Sequence, residues 1–204
     1  MTPLLQKEIL RKSLHFLIGF SPLLGSINRL GAIALLAFGV VLYTIMEILR
    51  LKGVSVPLVS FITERAMRER DRGFVKGPVT LGMGALLSMT LFPPPVAAIA
   101  IYALAFGDGL SSLAGRLFGR LRPWFLFGKS VEGSIVCFAA VFSAAFLASR
   151  SVRASLCAAA AATVAEALPL KDWDNIIIPL ATGAVLFCGG YGAAYGFPGS
   201  CRWL

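Results

Sequence analysis

The chain has 204 residues, 57% of them hydrophobic and only 14% charged, with a mean hydropathy of +0.81. A soluble domain carries about a quarter charged residues, so this balance excludes an ordinary soluble protein and points to an integral membrane protein. The net charge of +9 does not signal nucleic acid, because the basic residues sit in the gaps between apolar runs, where they serve as topology signals and contacts for lipid headgroups.

Apolar runs follow one another at about residues 14–27, 31–49, 78–92, 96–107, 131–149, 154–168 and 176–195. A helix needs about 20 residues to cross a bilayer untilted, so several runs are short; the fourth continues smoothly towards Arg120. The expectation is one all-α domain over residues 1–204, an integral membrane protein with about seven transmembrane helices. The first run stands behind Lys7, Arg11 and Lys12 and has the outline of a signal peptide. It lacks a small-residue cleavage site and further spans follow, so it is read as a helix of the mature protein.

Of the 19 lysines and arginines, all but Arg29, Arg150, Arg153 and Arg202 fall at the N-terminus or in the loops 50–76, 116–129 and 171–175. The excess of positive charge predicts a cytosolic N-terminus, with those loops on the same side and the C-terminus outside. In the loop 50–76, Leu58, Phe61 and Ile62 share one side of a helix, and Arg65, Arg68, Arg70 and Arg72 follow. That pattern predicts a short interfacial helix anchoring the topology. Glu47, near the cytosolic end of the second run, is expected to be paired or interfacial. Pro93, Pro94 and Pro95 predict a tight external turn, and the small side chains of CAAAAATVAEA (157–167) predict close helix packing. Cys137, Cys157, Cys188 and Cys201 show no CxxC spacing and are read as packing groups rather than metal ligands or disulfide partners.

Four polar clusters interrupt this pattern on the predicted cytosolic side. In GDGLSSLAGRLFGR (107–120), Asp108, Ser112, Gly115 and Gly119 share a helix face at spacings of four, three and four. A ligand or another backbone can approach the two glycines beside the acid. The alternative is a small-residue helix contact, with Asp108 capping a helix start.

In FGKSVEGS (127–134), Gly128, Lys129 and Ser130 match the end of a phosphate-binding loop. The earlier glycine of such a loop is here Pro123, which has no N–H to offer, and no strand precedes it. The loop is therefore rejected, while a meeting of Lys129 with phosphate is retained. Glu132 sits where a helix dipole favours a carboxylate.

In EALPLKDWDN (166–175), Glu166 lies in the last turn of an apolar span, and an acid inside a membrane is a functional hypothesis by default. Asp172, Asp174 and Asn175 add oxygen ligands. In RKSLH (11–15), Lys12 and His15 are helical neighbours; a lone histidine can equally serve to bond a neighbouring helix. Carboxylates and a lysine at the ends of several helices suit Mg²⁺ and a phosphate, hence phosphoryl or nucleotidyl transfer at the membrane surface.

Taken in order, RKSLH, GDGLSSLAGRLFGR, GKSVEGS and EALPLKDWDNIIIPL resemble the polyprenol kinase family, which includes dolichol kinase, phytol kinase and the CTP-dependent diacylglycerol kinase of yeast. The likeness runs from about Arg11 to Pro179. It implies a multi-pass membrane enzyme, its active site facing the cytosol, that uses CTP or another nucleoside triphosphate with Mg²⁺ to phosphorylate a lipid alcohol, releasing CDP. Carried over, Asp108, Ser112, Gly115 and Gly119 belong to the nucleotide site with Lys129, Ser130, Glu132 and Gly133. Arg11, Lys12 and His15 match the basic motif, and Glu166, Asp174 and Asn175 the late acidic motif. Leu110 departs from the small Ala of many relatives.

On this reading Asp108 and Asp174 are the Mg²⁺ ligands and Lys129 meets the β/γ-phosphates. Glu132 or Glu166 orients or deprotonates the hydroxyl, Asn175 contributes to nucleotide binding, and Lys12 and His15 close over phosphate. Two rivals stand beside it. One is a CDP-lipid synthase like the phosphatidate cytidylyltransferases, whose long C-terminal signature is not found here. The other is a small transporter using Glu166 and Asp108 in an ion pathway.

Overall fold

A computed structural model describes residues 3–54 and 73–191. The interfacial helix expected within 50–76, Cys201 and the end of the last apolar run fall outside the described residues. Every regular element among those described is helical: α1 (Pro3–Ile18), α2 (Ser21–Ile27), α3 (Arg29–Leu51), α4 (Gly77–Leu91) and α5 (Pro94–Tyr102) come first. A π-helical turn (Ala103–Asp108) leads into α6 (Gly109–Leu117), followed by α7 (Val131–Ser149), α8 (Val152–Ala167) and α9 (Asp174–Cys188). Among the described residues three helical stretches are long and apolar enough to cross a membrane, Arg29–Leu51, Pro94–Leu117 and Val131–Ser149; Gly77–Leu91 is apolar but shorter.

Local chemistry explains where the helices break. The first apolar run is not one helix, because Pro22 has no N–H to continue α1 and instead opens the first turn of α2. Asn28 adopts an extended conformation and caps α3, its side-chain oxygen accepting from the Gly31 N–H at 2.9 Å. Of the three prolines, Pro93 is extended and Pro94 and Pro95 open α5, so the expected turn is brief and the helix begins inside it. Ser130 caps α7 and Ser151 caps α8 in the same way as Asn28.

Packing follows side-chain size. Ala158, Ala159 and Ala162 are fully buried, and α8 lies close against α7 and α9 as its small residues predict. Val96, Ile99, Cys137, Val141, Ile178 and Leu186 complete that core. By contrast α3 exposes Leu35, Phe38, Val41, Ile45 and Ile48, an apolar face suited to lipid. Cys137 is buried and Cys157 half-buried, both as free thiols, and Cys188 is exposed.

Polar ties at the helix ends give the bundle two distinct poles. At one, buried Glu47 at the end of α3 takes a bidentate Arg50 at 2.7 and 2.8 Å and accepts from the Val75 N–H at 3.0 Å, paired as expected. Asn175 at the start of α9 donates to Thr80 Oγ1 at 2.9 Å and to the Gly77 carbonyl at 3.3 Å, both at the start of α4. At the other pole Arg29, opening α3, donates to the Met89 and Phe92 carbonyls at 2.5 and 2.8 Å, where α4 ends. The clusters singled out in the sequence gather at the first pole.

Candidate active site

Asp108 closes the π turn. Such a turn holds one residue more than an α turn and often marks functional sites, because it re-aims the side chains that follow. The backbone of Asp108 is helical and its carboxylate caps nothing, so the capping role considered for it is not what the structure contains. The carboxylate instead faces α1: the Lys12 ammonium donates to Oδ2, and His15 Nδ1 lies 3.2 Å from the same oxygen. Ser112 Oγ lies 3.5 Å from Oδ1. Lys12, His15 and Asp108 are 1%, 4% and 3% exposed. Charges buried this deeply must be matched, and Lys12 and Asp108 match one another, with His15 beside them. Of the two residues expected over phosphate, Lys12 is thus bonded to Asp108, while His15 lies beside it.

A narrow pocket of about 30 Å³ opens beside this trio. Asp108 and Asp174, the expected metal pair, both line it, together with Arg11, Asp172 and Asn175. Asn175 donates its amide to α4, tying α9 to α4 rather than presenting donors to the pocket. Among the described residues no three His, Cys, Asp or Glu side chains gather as a cation site. Mg²⁺ is usually held by one or two carboxylates, with waters and phosphate oxygens completing the shell, so Asp108 and Asp174 fit that ion in the company of a phosphate.

A second pocket of about 160 Å³ adjoins the first and shares Arg11 with it. One wall is the crossing of α6 and α7. A Cβ on Gly133 would stand 2.9 Å from the Ser111 carbonyl, and one on Gly115 would stand 2.9 Å from Ser130 Oγ. Of the two alternatives for this face, the glycines serve the approach of another backbone. Gly119 is off the expected face, since α6 ends at Leu117; it folds back against the Gly115 carbonyl and Ser130. Ser130, which lines this pocket, accepts from the Gly133 N–H at 3.1 Å through Oγ and so caps α7.

The opposite wall carries charge. Gly128, at φ 89°, makes the left-handed turn that delivers Lys129. The Lys129 ammonium donates to the Glu166 carbonyl and lies 2.9 Å from Glu166 Oε1, so it is paired with an acid on the pocket wall. Ser111 Oγ lies 3.5 Å from Oε1, while Oε2 of Glu166 is buried with no hydrogen-bond partner among the described residues. Glu132 lines neither pocket; it accepts from the Arg120 and Leu121 N–H groups at 2.9 and 3.1 Å and pins the loop before α7. Of the two acids considered as base, Glu166 lines the larger pocket and Glu132 does not.

Sequence reasoning missed Glu8, Arg116 and Arg122, which line the larger pocket. Glu8 Oε1 lies 2.7 Å from Arg11 and Oε2 lies 2.9 Å from Arg116. Arg122 donates to the Gly128 and Gly115 carbonyls at 2.8 and 2.9 Å. The signal for Glu8 was available: an acid three and four residues before Arg11 and Lys12 shares their helix face.

Comparison with known proteins finds no matching family model and no matching solved structure. The chain is 26% identical over 203 aligned residues to CTP-dependent diacylglycerol kinase 1 of Eremothecium gossypii, covering 85% of this chain and 64% of the relative. It is 31% identical over 151 residues to phytol kinase 1, chloroplastic, of Arabidopsis thaliana, covering 65% and 50% respectively. With the phytol kinase of Synechocystis sp. the identity is 34% over 122 residues, covering 55% and 52%. The chain thus spans about half to two thirds of the length of these curated relatives. They are lipid kinases, the kind of enzyme its four motifs resemble, and this chain is similar to them in sequence.

Proposed function

We propose that this chain is a CTP-dependent lipid-alcohol kinase that moves the γ-phosphate of the nucleotide to a membrane lipid hydroxyl of the polyprenol, phytol or diacylglycerol class. We read it as a multi-pass protein of about seven spans, with its N-terminus and active site on the cytosolic side. One observation carries the reading: Asp108, Lys129, Glu166 and Asp174, remote in sequence, line two adjoining pockets at the pole richest in basic residues. The likeness to enzymes named for CTP, diacylglycerol and phytol supports it.

The larger pocket, with Arg11, Arg116, Arg122 and Lys129 around it, suits the polyphosphate. The lipid enters laterally from the bilayer, its hydroxyl meeting the unpartnered Oε2 of Glu166. The hydroxyl oxygen bonds to the γ-phosphorus as the bond from that phosphorus to the β–γ bridging oxygen breaks. Its proton passes to Glu166, and CDP leaves with the electron pair. Lys12 holds the orientation of Asp108, with His15 packed beside the same oxygen. Mg²⁺, held by Asp108 and Asp174, would neutralise charge on the phosphates.

The test is turnover by the reconstituted protein with CTP or ATP, Mg²⁺ and a panel of phytol, polyprenol and diacylglycerol. CDP and a lipid monophosphate are expected from CTP. Release of pyrophosphate would favour a cytidylyltransferase instead, and absence of both turnover and nucleotide-dependent thermal stabilisation would reject a nucleotide enzyme altogether.

A further inference from the structure

Glu8 stands apart from every motif discussed above, yet its carboxylate is 4% exposed and is shared between two helices. One oxygen takes Arg11 from its own helix at 2.7 Å, and the other takes Arg116 from α6 at 2.9 Å. All three residues line the larger pocket. The other two cations there are already committed, Lys129 to Glu166 and Arg122 to the carbonyls of Gly115 and Gly128.

The geometry points to Glu8 as a positioning residue for the polyphosphate, a reading that rests on the proposed kinase function. Two guanidinium groups facing one small pocket repel each other, and the Arg116 side chain, 47% exposed, has room to swing into water. A single buried carboxylate between them offsets the repulsion and tethers each guanidinium through one N···O contact. Each guanidinium has five N–H donors, and the bonds to Glu8 use only some of them, so the rest remain for an anion. The two arginines are therefore held in place before the ligand arrives, and less ordering entropy is lost on binding. Glu8 itself, an acid, repels the phosphates and does not bind them; its effect passes through Arg11 and Arg116.

The experiment compares the full-length wild type with Glu8→Gln, Glu8→Asp, Arg116→Gln and the Glu8→Gln/Arg116→Gln pair in detergent or liposomes. The readouts are KM for CTP, KM for the lipid, kcat, and CTP-dependent thermal stabilisation. Glu8→Gln is expected to raise the CTP KM about tenfold or more, leaving the lipid KM unchanged and kcat within a few-fold. Glu8→Asp, which keeps the charge, recovers part of the loss. In the Arg116→Gln background the effect of Glu8→Gln shrinks, because its partner is gone.

An unchanged CTP KM in Glu8→Gln, or equal rises in the CTP and lipid KM, overturns the proposal. If Glu8→Gln does not fold, the exposed Arg116→Gln decides alone, a raised CTP KM supporting the proposal and an unchanged one overturning it. Failure of the functional reading looks different: the wild type itself would neither bind CTP nor turn over, and the clamp would fall with it.

Discussion

Lys129, on the loop before α7, and Glu166, in the last turn of α8, stand with their charged groups 2.9 Å apart, and the second carboxylate oxygen of Glu166 is buried with no hydrogen-bond partner among the described residues. The ammonium also reaches the Glu166 carbonyl, at a helix C-terminus where positive charge is favoured. One oxygen is thus held while the other is left to accept a proton. Glu166→Gln keeps the shape and removes the base. General-base catalysis contributes about 10²–10⁴-fold, so kcat should fall by that order while CTP still stabilises the protein thermally. Turnover close to wild type would take Glu166 out of the proton transfer.

Lys12 and Asp108 neutralise each other in the interior, across 96 positions of sequence. Asp108→Asn should abolish turnover, and it should cost stability as well, because it strands a buried ammonium. Breaking such a pair from one side costs about 3–5 kcal/mol, whereas replacing both members with apolar groups is often neutral. The pair Lys12→Met/Asp108→Leu should therefore unfold at a higher temperature than either single variant and remain inactive. A double variant no more stable than the singles would mean that the pair is not coupled in the folded protein.

The broad outline was legible in the sequence because it depends on composition. Apolar runs mark helices whatever their neighbours do, and the crowding of Arg and Lys between them marks one pole. Glu166 and Asp108 were legible as acids placed where acids are costly. Their partners were not, because Lys12 could serve a phosphate or a carboxylate equally well until the fold brought α1 against the π turn. That turn has no local signature in ALAFGD, and neither has the end of α6 at Leu117, short of Gly119, to which the expected face ran on. The surroundings of Glu132 were not legible: a carboxylate at a helix start can face a ligand or the preceding loop, and here it accepts from the Arg120 and Leu121 N–H groups.

Glycines at helix crossings and glycines facing lipid should respond to alanine in opposite ways. A Cβ on Gly84 would stand 2.0 Å from the Asn175 carbonyl oxygen, so α4 and α9 would have to part and the Asn175–Thr80 hydrogen bond would be lost. Overpacking costs about 1–3 kcal/mol and occasionally more, and this backbone contact belongs at the upper end. Gly39 on α3 has nothing within 4 Å of such a Cβ. Gly39→Ala should be neutral or stabilising by up to about 1 kcal/mol through helix propensity. Thermal unfolding in one detergent checks both, and equal losses would contradict the α4–α9 packing.

The proposed orientation can be tested at the two poles. Helix α7 has 19 residues, about 28 Å at 1.5 Å per residue, close to the thickness of a bilayer core. Lys129 stands before its start and Arg150 at its end, so these two residues belong to opposite surfaces. Lys52, at the end of α3, lies at the pole of Glu47, Asn175 and Lys129 and is exposed, as is Arg150. With the native cysteines replaced by alanine, Arg150→Cys should react with an impermeant maleimide on intact cells, and Lys52→Cys only after the membrane is opened. The reverse pattern would put the candidate site on the outside, away from cytosolic CTP, and labelling of both from one side would remove α7 as a span.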